Sequence, residues 1–128
     1  MELTQYFKSV LEMDRSPIVL CNLEHKIMYM NPTAAKRYES SGGYKMLGGS
    51  VLDCHGPYGK EKLLEVVEWF KADTANNIIY ESRNEKEYKD VYMVALREDD
   101  GTLIGYYEKH EYRTNDTAKP YDYEAGSL

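Results

Sequence analysis

The sequence predicts an α+β domain, a five-stranded antiparallel sheet with helices packed on one face and a further helix at the N-terminus. Three observations carry this. An early pair of short apolar runs is separated by a few polar residues, three long strand-like runs close the chain with no helix between them, and one unambiguous amphipathic helix lies in the middle. At 128 residues the chain is long enough for one domain with its own core. Hydrophobic residues at 42% and charged residues at 30% give ordinary globular balance.

Leu3, Tyr6, Phe7, Val10 and Leu11 fall at helical spacing. They predict a helix within residues 1–15, ended by Ser16-Pro17, where proline lacks an amide hydrogen and restricts its predecessor. Ile18–Cys21 and Ile27–Met30 read as two strands joined by the polar turn Asn22–Lys26. Asn31 can then cap a short helix, with Pro32 suited to its first turn. Ser40–Gly43 reads as a loop, and Gly56-Pro57-Tyr58-Gly59 is a second break.

From Lys60 to Asp73, Leu63, Val66, Val67 and Phe70 draw one apolar stripe, with Glu61, Glu65, Glu68 and Lys71 on the opposite side. Ile78–Arg83, Tyr88–Arg97 and Thr102–Arg113 follow as strands. The links Asn84–Glu87 and Glu98–Gly101 are short enough to force antiparallel pairing, and Asp-Gly is a strong hairpin signal. Residues 16–113 thus form the domain, and the polar, aperiodic stretch 114–128 reads as a disordered tail.

Sixteen basic against twenty-two acidic residues leave a net charge of −6, which repels phosphate and argues against nucleic acid or an anionic membrane as partner. The N-terminus has no basic lead followed by an apolar core, and no apolar run approaches a membrane span, so a cytoplasmic protein is expected. Two cysteines make neither a disulfide scaffold nor a zinc pattern. Cys21, inside an apolar run, reads as a buried inert thiol.

The order of these elements and their particular words resemble a PAS domain. Ile18–Asn22 with Lys26–Asn31 and Pro32 looks like its opening hairpin and following helix. Arg97–Gly105 looks like its closing hairpin, an acidic-Gly turn before a strand with a small residue. The stretch Gly48–Phe70 is similar to bacterial PAS modules in which a Cys-His-Pro-Pro word precedes the long helix; Cys54 and His55 match, and Gly56 replaces the first proline. The resemblance implies a sensory or regulatory module, without chemistry of its own, that holds a small ligand or a signalling partner. A structural dimerisation module with a filled pocket is the alternative, and a haem-binding sensor a third. Blue-light PAS domains carry Asn-Cys-Arg-Phe-Leu-Gln-Gly-Pro. Aligning Gly56-Pro57 with its end puts Val51 at the reactive cysteine and Ser50 at the asparagine, which argues against a photoactive flavin.

The candidate ligand contacts are Cys54, His55, Tyr58, Tyr80, Tyr92 and Tyr106. Adjacent residues on an extended segment point apart, which disfavours Cys54-His55 as a catalytic dyad. Contact with a ligand, axial ligation of haem, and simple loop packing all remain open for the pair. His25, in a turn, is expected in solvent, and His110 is expected solvated or facing a partner, on the same face of the last strand as Tyr106, Glu108 and Tyr112. The thirteen tyrosines imply either a core with polar edges or an aromatic sheet face open to a partner. A homodimer through the N-terminal helix and the outer sheet face is expected, because the helix's apolar stripe needs covering.

Overall fold

A computed structural model describes residues 2–124. Its elements are α1 (Thr4–Glu12), β1 (Val19–Asn22), β2 (Ile27–Met30), α2 (Pro32–Arg37), α3 (Pro57–Ala72), β3 (Ile78–Asn84), β4 (Lys89–Arg97) and β5 (Leu103–Tyr112). The five strands form one antiparallel sheet in the order β2-β1-β5-β4-β3, so the first and last strands of the chain are neighbours at its centre. The α+β class, the five strands and their antiparallel sense match the sequence reading.

Local chemistry explains the turns. In the β1–β2 turn, Asn22 Oδ1 accepts from the amides of Glu24 and Lys26, and His25 takes a positive φ of 66°. In the β4–β5 turn, Gly101 adopts φ +93° while Asp100 Oδ1 accepts from the Thr102 amide at 2.9 Å. Helix α3 starts at Pro57, three residues earlier than the stripe suggested, because extended Gly56 caps it and Pro57 sits in its first turn. The segment between α2 and α3 winds through three single-turn 3-10 helices, Glu39–Ser41, Gly43–Met46 and Val51–Cys54, where a loop was expected over residues 40–43. Ser50 initiates the third by accepting from the Leu52 amide.

The core lies between the inner sheet face and these helices. Cys21, Ile27, Met30, Ala34, Leu63, Val67, Phe70, Met93 and Tyr106 form its buried cluster. Helix α1 stays outside it, with no buried residue. Residues 114–124 contain no helix or strand, and Asp116 pairs with Arg15 at 2.6 Å; the last four residues of the expected tail lie outside the described residues.

Asn31 ties these parts together. Its Oδ1 accepts from the amides of Ile18 and Ala34, both at 2.9 Å, and its Nδ2 donates to the carbonyls of Leu11 and Ser16. Its side chain is fully buried. Asn31→Ala is therefore expected to lower stability by about 2–3 kcal/mol, since it removes a helix cap and orphans the buried amides it satisfied. A urea midpoint matching the wild type would contradict this.

Candidate functional site

Alternation along the central strands sets one wall of a cavity. Tyr106, Glu108 and His110 of β5 lie opposite Ala95, Met93 and Val91 of β4, and Cys21 of β1 lies opposite Tyr106. Tyr38, Met46, Val51, Cys54 and His55, from the segment that starts as α2 ends and runs to α3, close the opposite side with Leu63 of α3. The cavity between them measures about 220 Å³ and opens to solvent beside Cys54. Its lining is largely apolar, with Glu108, His110, His55 and Cys54 as the main polar side chains.

A chain of charges stands behind Glu108. The Lys89 ammonium meets His110 Nδ1 at 3.0 Å and Glu87 Oε2 at 3.2 Å, with a side chain only 4% exposed. Arg37 grips both oxygens of Glu87 at 2.6 and 2.9 Å. Arg37's hydrogen bonds, with help from Lys89, pull the Glu87 carboxyl down to about 2 against the cost of partial burial. Since an ammonium only donates, His110 Nδ1 accepts and the ring's own proton sits on Nε2, which lies 3.7 Å from Glu108 Oε2. Glu81, at the β3 bulge, is the acidic neighbour of Glu108. Burial and then the Glu108 charge push Glu81 up to about 7, so the proton of that pair resides on Glu81. Burial opposes ionisation of Glu108 as well, but its polar neighbours His110, Glu81 and His55 outweigh it and keep the carboxyl below its ordinary range.

Of the six candidate contacts, Cys54, His55 and Tyr106 line this cavity. Tyr58, on the first turn of α3, is 73% exposed and does not. Tyr80 and Tyr92 stack on each other with centroids 5.2 Å apart, at the alternate register from inward-facing Met93, and so occupy the outer sheet face. Two histidine expectations need correction. His25 is not free in solvent: its ring Nδ1 lies 2.8 Å from the Tyr106 hydroxyl, because the positive φ of the turn swings it back over the sheet. His110 is buried, since β5 turns its Tyr106–Glu108–His110 face toward the helices. Gly59 makes room for the His55 ring, whose Cβ would stand 3.2 Å from an added methyl.

Sequence reasoning missed Glu108, Lys89, Glu87 and Arg37 as site residues. The available signal was the shared parity of Tyr106, Glu108 and His110, which would have placed all three inside once Tyr106 was taken as core.

The two thiols differ in a way that can be measured. Cys21 is buried and its thiol is pushed up to about 11 by desolvation, whereas Cys54 is exposed at the cavity's edge. Iodoacetamide at pH 8 is expected to label Cys54 alone in the folded protein and both cysteines in urea; intact mass would read one or two adducts. No group of His, Cys, Asp or Glu suited to a metal ion occurs among the described residues, nor does any helix there reach the length and apolarity needed to cross a membrane.

No family model and no curated protein matches the chain. Solved structures do. A C-terminal domain from Streptococcus mutans aligns with a TM-score of 0.66 at 20% identity, over 84% of this chain and 83% of that one. The PAS domain of a protein from Colwellia psychrerythraea aligns at 0.64 and 12% identity, over 87% of this chain and 97% of its own. A sensory box sensor histidine kinase from Vibrio cholerae aligns at 0.54 and 13% identity, over 84% and 86%. The shared feature at such identities is the arrangement of sheet and helices, and by it this chain has the PAS fold.

Proposed function

We propose that this chain is a sensory PAS domain that holds a small molecule between its sheet and helices and passes occupancy to a protein partner, with no chemistry of its own. The cavity of about 220 Å³ carries this reading, because its apolar lining with a few convergent polar groups is the form of a binding site. Cys54, His55 and Tyr106 are its proposed contacts, joined by Glu108 and His110. A net charge of −6 and free cysteines suit a cytoplasmic protein that does not bind nucleic acid.

The volume also bears on cofactors. A cavity of about 150 Å³ is filled by benzene, so the 220 Å³ here has no room for a porphyrin or a flavin ring system unless the helices move. His55 and Cys54 retain the atoms that ligate haem, but the space around them favours a smaller occupant. Mass spectrometry and an absorption spectrum of the purified protein test the reading, followed by thermal shift against metabolites, since a ligand specific to the folded state raises stability by mass action. A Soret band would overturn the preference for a small ligand. A filled, unresponsive cavity would favour the structural alternative.

One observation supports a dimerisation role. On α1, Tyr6, Phe7 and Val10 are 60%, 62% and 67% exposed, a stripe that none of the described residues covers. A homodimer through this helix is expected. Analytical ultracentrifugation should show it at micromolar concentration, and Phe7→Glu should return a monomer. A monomeric wild type at high micromolar concentration would sink the idea.

A further inference from the structure

We infer that the cavity selects a small amine, with a protonated nitrogen held against Glu108 and an apolar body lodged among Met30, Leu63 and Met93. This rests on the ligand-binding reading above and names the chemical class of the ligand. Glu108 is the one acidic residue in the lining, and the lining contains neither lysine nor arginine.

The nearby cations are already committed. Lys89 and Arg37 both close on Glu87, at 3.2 Å and 2.6 Å, and neither borders the cavity. His110 faces Glu108 through Nε2, but at 3.7 Å the contact is too long for a full hydrogen bond. The carboxylate, its side chain 36% exposed, therefore lacks a close cationic partner and is the one carboxylate facing a largely apolar chamber. An incoming ammonium supplies that partner. A carboxylate or phosphate ligand would meet Glu108 with no lysine or arginine to offset the repulsion. The 220 Å³ limits the body to about a benzene ring with a short side chain.

The matched probes are 2-phenylethylamine, 2-phenylethanol and 3-phenylpropionate, titrated by calorimetry against the whole chain at pH 7.5. The amine should bind at least about tenfold more tightly than the alcohol, the margin between a charge-assisted and a neutral hydrogen bond, and 3-phenylpropionate should not bind. Glu108→Gln should erase the advantage of the amine while leaving the alcohol unchanged. Glu61→Gln, on the exposed side of α3, removes the same net charge and should leave the order intact. Circular dichroism checks that each variant is folded. If Glu108→Gln fails to fold, the wild-type order still decides, since a carboxylate that binds as tightly as the amine overturns the inference. Binding of the alcohol or carboxylate that is lost in a cavity-filling Met93→Trp variant would leave a ligand site standing and defeat the charge argument alone. Absence of binding by all three probes overturns both.

Discussion

Phe70→Ala is expected to remove about 3–5 kcal/mol of folding stability, a large share of what a domain this size possesses. Phe70 is 0% exposed, and its α3 neighbours Val67 and Leu63 are 2% and 6% exposed. All three belong to the cluster that joins the helix to Met93 and Tyr106 of the sheet, so an alanine at 70 leaves a cavity that the sheet cannot collapse into. Val67→Ala should act in the same direction with a smaller loss. Glu65 and Glu68, on the wet side, pair among the described residues with Lys62 and Lys71 at i,i+3 spacing, in bonds of 3.2 and 3.1 Å. Such pairs contribute a few tenths of a kcal/mol, so Glu65→Ala and Glu68→Ala should stay within about 0.5 kcal/mol of the wild type. Urea midpoints read the contrast, and equal midpoints for the two sets would mean that this helix does not pack as described.

That contrast was legible in the sequence because four apolar positions repeat at helical spacing over a single uninterrupted segment. The turns were legible for similar local reasons: Asp100-Gly101 and Asn31-Pro32 each name one backbone geometry. Strand order was not. The β1–β5 pairing joins residues about 85 positions apart, and nothing local announces it apart from one small residue, Gly105. The facing of β4 was hidden because Val91, Tyr92, Met93, Val94, Ala95 and Leu96 are apolar or aromatic at both parities, so alternation offers no phase. With that phase missing, Tyr80 and Tyr92 could be assigned to the cavity and His110 to solvent, the reverse of their places. The Lys89–His110–Glu108 chain was harder still, since buried lysine is rare and nothing in the pattern of β4 distinguishes Lys89 from an exposed one. Cys54 and His55 came into view only through the family resemblance, and their position depends on three short turns that have no periodicity to read.

Gly105→Ala is expected to cost at least about 3 kcal/mol, the upper part of the overpacking range, and Gly105→Val to prevent the native sheet from forming. A Cβ built at Gly105 would lie 2.1 Å from the Cys21 carbonyl oxygen, a backbone atom with no rotamer to change. Relief by strand movement is blocked on both sides: β1 is held by β2, and β5 by β4 along nine register positions from Lys89 to Arg97. The strain must therefore separate β1 from β5, where Leu20, Cys21 and Asn22 pair with Tyr107, Tyr106 and Gly105. Three cavity-lining residues, Cys21, Tyr106 and Tyr107, sit on this seam, and the Tyr106 hydroxyl also holds His25 of the β1–β2 turn at 2.8 Å. Opening the seam should thus loosen the hairpin and the cavity together. Hydrogen exchange would show it as lost amide protection in β1 and β2 before β3 and β4 are affected. Ile104→Ala is the control, one residue away but 47% exposed, and it should shift stability only slightly. A Gly105→Ala protein with the wild-type urea midpoint and full β1 protection would show that the two central strands are not packed this closely.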